Sequence, residues 1–291
     1  MKTVFLFSGQ GSQYPGMGAE LAEKSSAAKQ ILECGSDIMG FDLAKKLSDS
    51  TPEELALAAA RENGIDNCAA AGHSLGEYAA MYASGMLGME DAFKAIKLRA
   101  AAMAEAAEAT GGSMAAIIGS DNETIAKVCE EVNGFCAPAN YNSPQQTVIA
   151  GESAAIDEAV AKFAEMGKRA VKLAVSAAFH TKLMAGAAEK FKGEIAGFPF
   201  KAPNCDFYSN LYGRKLDDFS DMPSYLAAHI CSPVKFVDEL SAMQSAGIEA
   251  YVELGPGKVL TGLVKKFDRS ANAMHIENAE TLEKALAALK G

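Results

Sequence analysis

The sequence predicts an α/β protein in which helices cover both faces of a mostly parallel sheet. Short apolar runs such as KTVFLF (2–7) and EAYVELG (249–255) alternate with stretches of helical periodicity, and this alternation is typical of parallel strands joined by helices. Three of the runs lead into glycine-containing loops: SGQGSQ, GHSLG and GPGKV. Because sites in such sheets form at the carboxyl ends of the strands, we expect the chemistry to lie in these loops.

The elements of this larger unit are predicted in order along the chain. The first part contains a strand at 2–7, helical patterns near 17–34 and 53–63, a buried strand at Cys68–Gly72, and helices at Leu75–Met86 and Glu90–Ala109. The last part contains a helix near 181–196, a strand at CDFYSN, helices near 222–245, a strand at EAYVELG, and helices at KVLTGLVKKF and 280–290.

The segment between these two parts has a different order of elements. SMAAIIG reads as a strand, DNETIAKVCEEV as a helix, CAPANYN and QTVIAG as strands, ESAAIDEAVAKFAEMG as a helix and KRAVKLAV as a closing strand. This βαββαβ order is the ferredoxin-like arrangement. We therefore predict a ferredoxin-like subdomain of residues 112–180, inserted in a core formed by residues 1–111 and 181–291.

Charge and hydropathy exclude two classes of partner. The 27 basic and 37 acidic residues give a net charge of −10, and no basic tract offsets it, so nucleic acid is not expected as the main partner. No apolar run is long enough to span a bilayer, and the first apolar run reaches glycine too early for a secretory segment. We expect no membrane partner.

The cysteines indicate a reducing compartment. The six cysteines form no CxxC pair and have no metal-ligand spacing with the four histidines. In a chain of this length they read as reduced thiols of a cytoplasmic protein. We therefore expect neither disulfides nor a metal site.

Ser74, in GHSLG, is the first candidate for chemistry. The motif follows a predicted strand and precedes a predicted helix, and glycines flank the serine where neighbouring backbone would press too close for side chains. Such a bend exposes the hydroxyl, and it places the N–H of Leu75 at a helix N-terminus where it can stabilise an oxyanion. A plain turn serine is the alternative, but the strand–turn–helix context favours a nucleophile.

A serine nucleophile needs a base, and four histidines are available. His73 precedes Ser74 on the same turn, so its side chain should point away from the serine and serve in packing. His275 has no evident partner. His180, in VSAAFHT, lies where the inserted subdomain returns to the core, and His229, in LAAHICSPV, is its competitor. The residues favour His180 without excluding His229.

Two further residues are candidates near the serine. Arg99 lies in a helix that is otherwise nearly all alanine and apolar, which indicates either a solvated side chain or a partly buried cation that needs a carboxylate partner. SGQGSQ lacks the third glycine of a dinucleotide fingerprint, so no nicotinamide cofactor is expected. A side chain such as Gln10 would instead supply a second oxyanion donor.

The motifs together resemble one family. FSGQGSQYPGMG, AGHSLGEYAA, KLRAAAM, NYNSPQQTVIAG, AFHT, SPVKF and VELGPGKVLTGL occur in the order seen in malonyl-CoA:acyl carrier protein transacylases, over nearly the whole chain. The resemblance implies an α/β-hydrolase-like core with an inserted ferredoxin-like subdomain. One departure is that between STPEEL and ALAAARENG the chain lacks most of a stretch that the family usually has, so either this helix is shortened or a segment is missing.

The resemblance assigns roles to the candidates. It implies that Ser74 is the acylated nucleophile, that His180 is its base, and that Gln10 and the Leu75 N–H form the oxyanion hole. It implies that Arg99 grips the free carboxylate of the malonyl group. With no acidic third member visible near the motifs, a Ser–His dyad is the simpler interpretation.

Three more positions follow from the same resemblance. Asn142 matches a pocket-lining asparagine, and Phe179 resembles members that prefer malonyl over bulkier branched units. His229 stands where the family commonly has a glutamine whose backbone carbonyl orients the catalytic histidine. A main-chain role tolerates that change, so the resemblance demotes His229 as a rival base.

The implied reaction is transfer of malonyl from coenzyme A to the phosphopantetheine thiol of acyl carrier protein, in fatty acid or polyketide synthesis. The enzyme would need no cofactor of its own, since the partner carries the phosphopantetheine. Alternatives are a serine esterase or thioesterase, an acyltransferase for another acyl-CoA, and an inactive module that only binds the carrier protein. The acidic carrier protein could meet one of two basic groups: Lys168, Arg169, Lys172 and Lys182, or the pair Lys265 and Lys266.

Overall fold

The computed structural model describes residues 1–12, 14, 16–40, 42 and 53–290. The first part of the chain forms β1 (Thr3–Phe7), α1 (Ala19–Lys24), α2 (Ser26–Met39), α3 (Glu53–Glu62), β2 (Ala69–Gly72), α4 (Gly76–Ala83) and α5 (Met89–Thr110). The middle part forms β3 (Ser113–Ile118), α6 (Asn122–Glu131), β4 (Cys136–Ser143), β5 (Gln146–Gly151), α7 (Ser153–Glu165) and β6 (Arg169–Lys172).

The last part begins with a short 3₁₀ helix at Lys182–Met184. It continues with α8 (Ala185–Glu194), β7 (Asp206–Ser209), β8 (Arg214–Lys215), α9 (Met222–Cys231), α10 (Phe236–Ser245), β9 (Ala250–Leu254), α11 (Val259–Phe267), β10 (Asn272–Ile276) and α12 (Ala279–Lys290). No helix in the described ranges is long and apolar enough to cross a bilayer.

The main sheet is mostly parallel. In the described part of the chain it has six strands in the order β10-β9-β1-β2-β7-β8, and only the β7–β8 pair is antiparallel. All five residues of β1 are buried, since Phe5 and Phe7 pack on one face and Val4 and Leu6 on the other. A strand covered on both faces reads as a continuous apolar run, which is why KTVFLF shows no alternation.

The middle part forms a separate antiparallel sheet with the strand order β4-β5-β3-β6. Helices α6 and α7 pack on one face of it through a cluster that includes Ile125, Ile149 and Phe163. The opposite face, with Met114 and Val148, packs against the segment that returns to the core. The α/β class, the mostly parallel sheet and the small ferredoxin-like subdomain are confirmed, whereas the predicted boundaries at 112 and 180 stay a prediction.

The helices differ from the expectation at two places. The single helix predicted near 17–34 is two helices, because Ser25 is extended (φ −122°, ψ 119°) and its side chain caps α2 by accepting from the Ala28 N–H at 3.0 Å. The helix expected at Leu75–Met86 is shorter, ending at Ala83. Strand β8 was not predicted, since two residues are too few to give a pattern.

Helix α3 follows the stretch in which the chain departs from the family pattern. Its residues Ala56, Leu57 and Ala60 are buried in the core on the α4 and α5 side of the sheet. Residues 43–52, which include the start of STPEEL, lie outside the described residues.

Candidate active site

Ser74 lies on the tight bend between β2 and α4. Its φ is 54°, and Ser74 and His180 are the two non-glycine residues with positive φ in the described ranges. A Cβ on Gly72 would collide with the backbone of Gly76 and Glu77, and a Cβ on Gly76 would collide with the Phe7 carbonyl. Glycine at both positions therefore lets the bend pass close to β1, and the serine takes the strained position at its tip.

The Ser74 hydroxyl contacts two side chains that come from distant parts of the chain. Its Oγ lies 2.7 Å from Nε2 of His180, which stands in the loop between β6 and the 3₁₀ helix. Arg99, on α5, donates from Nη2 to the same Oγ at 3.0 Å. The bend therefore brings a hydroxyl, an imidazole and a guanidinium to one point.

The orientation of His180 is set by backbone carbonyls. Its Nδ1 lies 3.2 Å from the carbonyl oxygens of His229 and of Ser232. Since a carbonyl only accepts, Nδ1 carries the proton and Nε2 is left as an acceptor for the Ser74 hydroxyl. Burial, followed by the nearby Arg99 cation, lowers the pKa of His180 to about 3, so the imidazole is neutral at pH 7.

Arg99 is a buried cation. Only 4% of it is exposed, and its guanidinium lies 5.6 Å from the centre of the Tyr78 ring. Its Nε is buried and has no hydrogen-bond partner. Burial lowers its pKa, but a guanidinium stays protonated in proteins. A buried cation of this kind calls for an anion beside it.

A cavity of about 450 Å³ opens over the serine. Of the predicted site residues, those that line it are Gln10, Ser74, Arg99, Asn142, Phe179 and His180. Gln10 comes from the loop after β1, and Asn142 comes from β4. Met114 and Val148, from the inner face of the small sheet, add an apolar wall that the sequence analysis did not identify.

Two predicted site residues lie beside the cavity without lining it. Leu75 follows Ser74 as the N-cap residue of α4, and its side chain packs against the core. His229 is fully buried behind His180, with the two ring centres 5.5 Å apart, and its carbonyl faces the Nδ1 of His180. Its own ring Nε2 lies 3.4 Å from Oδ1 of Asn210.

Of the other two histidines, His73 lies at the cavity and His275 lies on β10. His73 does not contact the Ser74 hydroxyl but lines the cavity, and its Nε2 lies 2.7 Å from Oδ1 of Asn142. Burial lowers the pKa of His73, so it too is neutral. His275 lies on β10, with Nε2 3.5 Å from Oε1 of Glu277.

Beneath the bend lies a buried polar network that the sequence analysis missed. Asn210 accepts a hydrogen bond from the Ser74 N–H and contacts Glu77 and Glu239. Asn210 and both glutamates are fully buried. The only signal was the polar end of the strand CDFYSN. In the described residues, no cluster of His, Cys, Asp or Glu has the arrangement to hold a metal ion.

The fold and the site indicate that this protein belongs to the class of acyl transferases, and comparison with known proteins agrees. A family model described as an acyl transferase domain matches residues 54–287. The malonyl CoA-acyl carrier protein transacylase of Bacillus subtilis is 36% identical over 99% of this chain and 98% of its own length.

Solved structures match over the same length. The malonyl CoA-acyl carrier protein transacylase of Clostridium perfringens has a TM-score of 0.94 and 32% identity, covering 100% of this chain and 98% of its own. The protein described as MCAT from Streptococcus pneumoniae has a TM-score of 0.90 and 36% identity, covering 98% of this chain and 99% of its own. The chain belongs to the malonyl CoA-acyl carrier protein transacylase family.

Proposed function

We propose that the protein transfers a malonyl group from coenzyme A to the phosphopantetheine thiol of acyl carrier protein, through a malonyl ester of Ser74. The observation that supports this best is the meeting of three groups, with Ser74 Oγ 2.7 Å from His180 Nε2 and 3.0 Å from Arg99 Nη2. The first pair can activate a nucleophile, and the guanidinium can hold an acidic acyl group.

The first half of the reaction is acylation of Ser74. His180 Nε2 takes the hydroxyl proton as Oγ attacks the thioester carbonyl carbon. The tetrahedral intermediate then collapses, the carbon–sulfur bond breaks, and the coenzyme A sulfur leaves with the proton from His180. The neutral imidazole suits this role, because its Nε2 is free to accept while the carbonyls of His229 and Ser232 hold Nδ1–H.

The second half reverses these steps with a different thiol. The phosphopantetheine thiol loses its proton to His180 and attacks the malonyl ester carbonyl, and Ser74 leaves and recovers the proton. In both halves negative charge develops on the carbonyl oxygen. We assign its stabilisation to the Leu75 N–H at the start of α4 and to Gln10, which lines the same cavity.

Arg99 is assigned to the free carboxylate of the malonyl group. A planar guanidinium can make two parallel hydrogen bonds to a carboxylate. The buried Nε without a partner provides one more donor than the Ser74 contact uses. Since a buried cation is costly unless an anion pairs with it, a malonyl group would be preferred here over a neutral acyl group.

We place the approach of the carrier protein at the part of the cavity that is lined by the end of the small sheet and by α11. Strand β6, which contains Arg169 and Lys172, runs directly into Leu173, which lines the cavity. Helix α11 begins at Val259, which also lines it, and continues to Lys265 and Lys266. Both basic groups remain candidate contacts for the acidic carrier protein, and a cytoplasmic location stays a prediction.

Intact mass spectrometry tests the proposed function. Mixing the protein with malonyl-CoA should add the mass of one malonyl group to the protein. After holo carrier protein is added, the protein should lose this mass and the carrier protein should gain it. A hydrolase would lose the adduct equally fast without carrier protein. No adduct, or loss by hydrolysis alone, would contradict the proposal.

A further inference from the structure

Asn210 joins the two sides of the bend that carries Ser74. It follows the last residue of β7 and is fully buried. Its Oδ1 accepts the Ser74 N–H at 2.6 Å, and its Nδ2 donates to the Gly72 carbonyl at 2.6 Å. One side-chain amide therefore closes the end of β2 onto the residue at the tip of the bend.

The bend needs such support because Ser74 is in the left-handed region, at φ 54°. A residue with a side chain keeps this unfavourable conformation only when its surroundings determine it. Next to the buried end of β2, the Ser74 N–H and the Gly72 carbonyl would each lack a hydrogen bond if the bend were unsupported. Asn210 satisfies both groups at once and only in this geometry.

The orientation of the Asn210 amide is itself fixed by the network around it. Nδ2 lies 2.6 Å from Oε1 of Glu239, and the Asn210 backbone N–H donates to Oε1 of Glu77 at 2.6 Å. Glu77 in turn lies 2.9 Å from the Tyr225 hydroxyl through Oε2. A flipped amide would set Nδ2 against the Ser74 N–H and Oδ1 against the Gly72 carbonyl, so the network permits one orientation.

We propose that Asn210 is a positioning residue for acyl transfer, which holds the Ser74 backbone so that Oγ meets His180 Nε2. The same hold fixes the backbone before Leu75, whose N–H we assign to the oxyanion hole. Asn210 touches neither the acyl group nor the hydroxyl, and it acts on the reaction only through the shape of the bend. This inference rests on the proposed function.

The variant Asn210→Ala tests it through a split between kcat and KM. The loss of the clamp should lower kcat by about 100-fold, the scale of a small misplacement of a catalytic group. The KM for malonyl-CoA should stay close to that of the wild type, because Arg99 and the cavity wall are unchanged. A loss confined to KM, or an unchanged kcat, would overturn the inference.

Tyr225→Phe is the matched control. It removes a hydroxyl that lies within hydrogen-bond distance of Glu77 and Ser209 in the same network, but that hydroxyl contacts neither Ser74 nor Gly72. Its Tm should fall while its kcat stays close to wild type. Equal kcat losses in Tyr225→Phe and Asn210→Ala would mean that the direct contacts of Asn210 with Ser74 and Gly72 have no positioning role of their own, and the inference would be wrong.

Amide hydrogen exchange on the unmodified protein tests the same contact and does not depend on whether a variant folds. The Ser74 N–H, held by Asn210 Oδ1, should exchange far more slowly than amides of exposed loops. Exchange as fast as that of an exposed loop would overturn the inference. A wild-type protein with no malonyl transfer would refute the proposed function instead, while protection at Ser74 would still report on the clamp.

Discussion

Ser74 and His180 lie with Oγ and Nε2 2.7 Å apart, and both residues hold positive φ, at 54° and 59°. The two strained positions come from segments 106 residues apart in the chain. Strain at residues with side chains tends to occur at functional sites, where the surrounding structure determines the geometry. The pair therefore has the features of a site that the fold holds ready before substrate binds.

Arg99→Ala should separate malonyl from acetyl transfer. For malonyl-CoA, kcat/KM should fall by an amount equivalent to about 2–4 kcal/mol, because the substrate carboxylate loses its buried partner. The loss for acetyl-CoA should be much smaller. Arg99→Lys serves as the control, since a lysine keeps the charge but cannot make two parallel hydrogen bonds, and it should recover malonyl transfer only in part. Equal losses for both acyl groups would show that Arg99 is not a carboxylate clamp.

The pH–rate profile should show no loss of kcat/KM on the acid side of the ordinary histidine pKa. The pKa of His180 is lowered to about 3 by burial and by Arg99, so the free enzyme keeps a neutral imidazole well below the ordinary value of 6.5. We expect kcat/KM for malonyl-CoA to stay flat on crossing pH 6.5, wherever the protein remains folded. A tenfold loss per pH unit beginning near that value would contradict the neutral, buried His180.

The same shift predicts lower stability in acid. Between the folded pKa of about 3 and the unfolded value of 6.5, the unfolded chain binds one more proton at this residue than the native protein. This contribution to the free energy of unfolding is therefore present above pH 6.5 and is lost as the pH falls toward 3. Denaturant titrations at several pH values give the free energy of unfolding of the wild type and of His180→Asn. Between pH 3 and 6.5 this free energy should rise more steeply with pH in the wild type than in the variant. The same pH dependence in both proteins would contradict the lowered pKa of His180.

Glu77 should act in the opposite direction. Burial raises its pKa to about 8, so between 4.5 and about 8 the native protein holds a proton that the unfolded chain releases. The free energy of unfolding should therefore contain a contribution that falls as the pH rises through this range. Glu77→Gln keeps an oxygen that can accept from the Asn210 N–H and does not titrate. Its stability should vary less between pH 5 and 8 than that of the wild type, and an identical pH dependence would refute the protonated carboxyl.

Local patterns made much of the fold predictable. The bend at Ser74 could be predicted from the sequence because its strand, its glycines and its helix are adjacent in the chain. The βαββαβ order of the small sheet was also readable, since each element has its own periodicity and caps such as Asp121, which accepts from the Thr124 N–H at 2.8 Å. The break at Ser25 was missed because one serine inside a helical pattern gives no strong signal.

Long-range contacts limited how much of the candidate site could be predicted from the sequence. The residues alone favoured His180 without excluding His229, since both stand in loops or helices whose approach to Ser74 depends on tertiary packing. The resemblance to a family favoured His180, and His180 is the residue that contacts Ser74 Oγ. Asn210 escaped notice because its partners lie 136 and 138 residues away along the chain.

The most direct measurement is site-resolved labelling with radioactive malonyl-CoA in the wild type and in Ser74→Ala. The wild type should carry the label on the peptide that contains Ser74 and pass it to holo carrier protein. Ser74→Ala should stay unlabelled and lose transfer by roughly 10⁴-fold or more, the scale of other serine nucleophiles. A variant that still takes up label and transfers it would contradict the covalent role of Ser74.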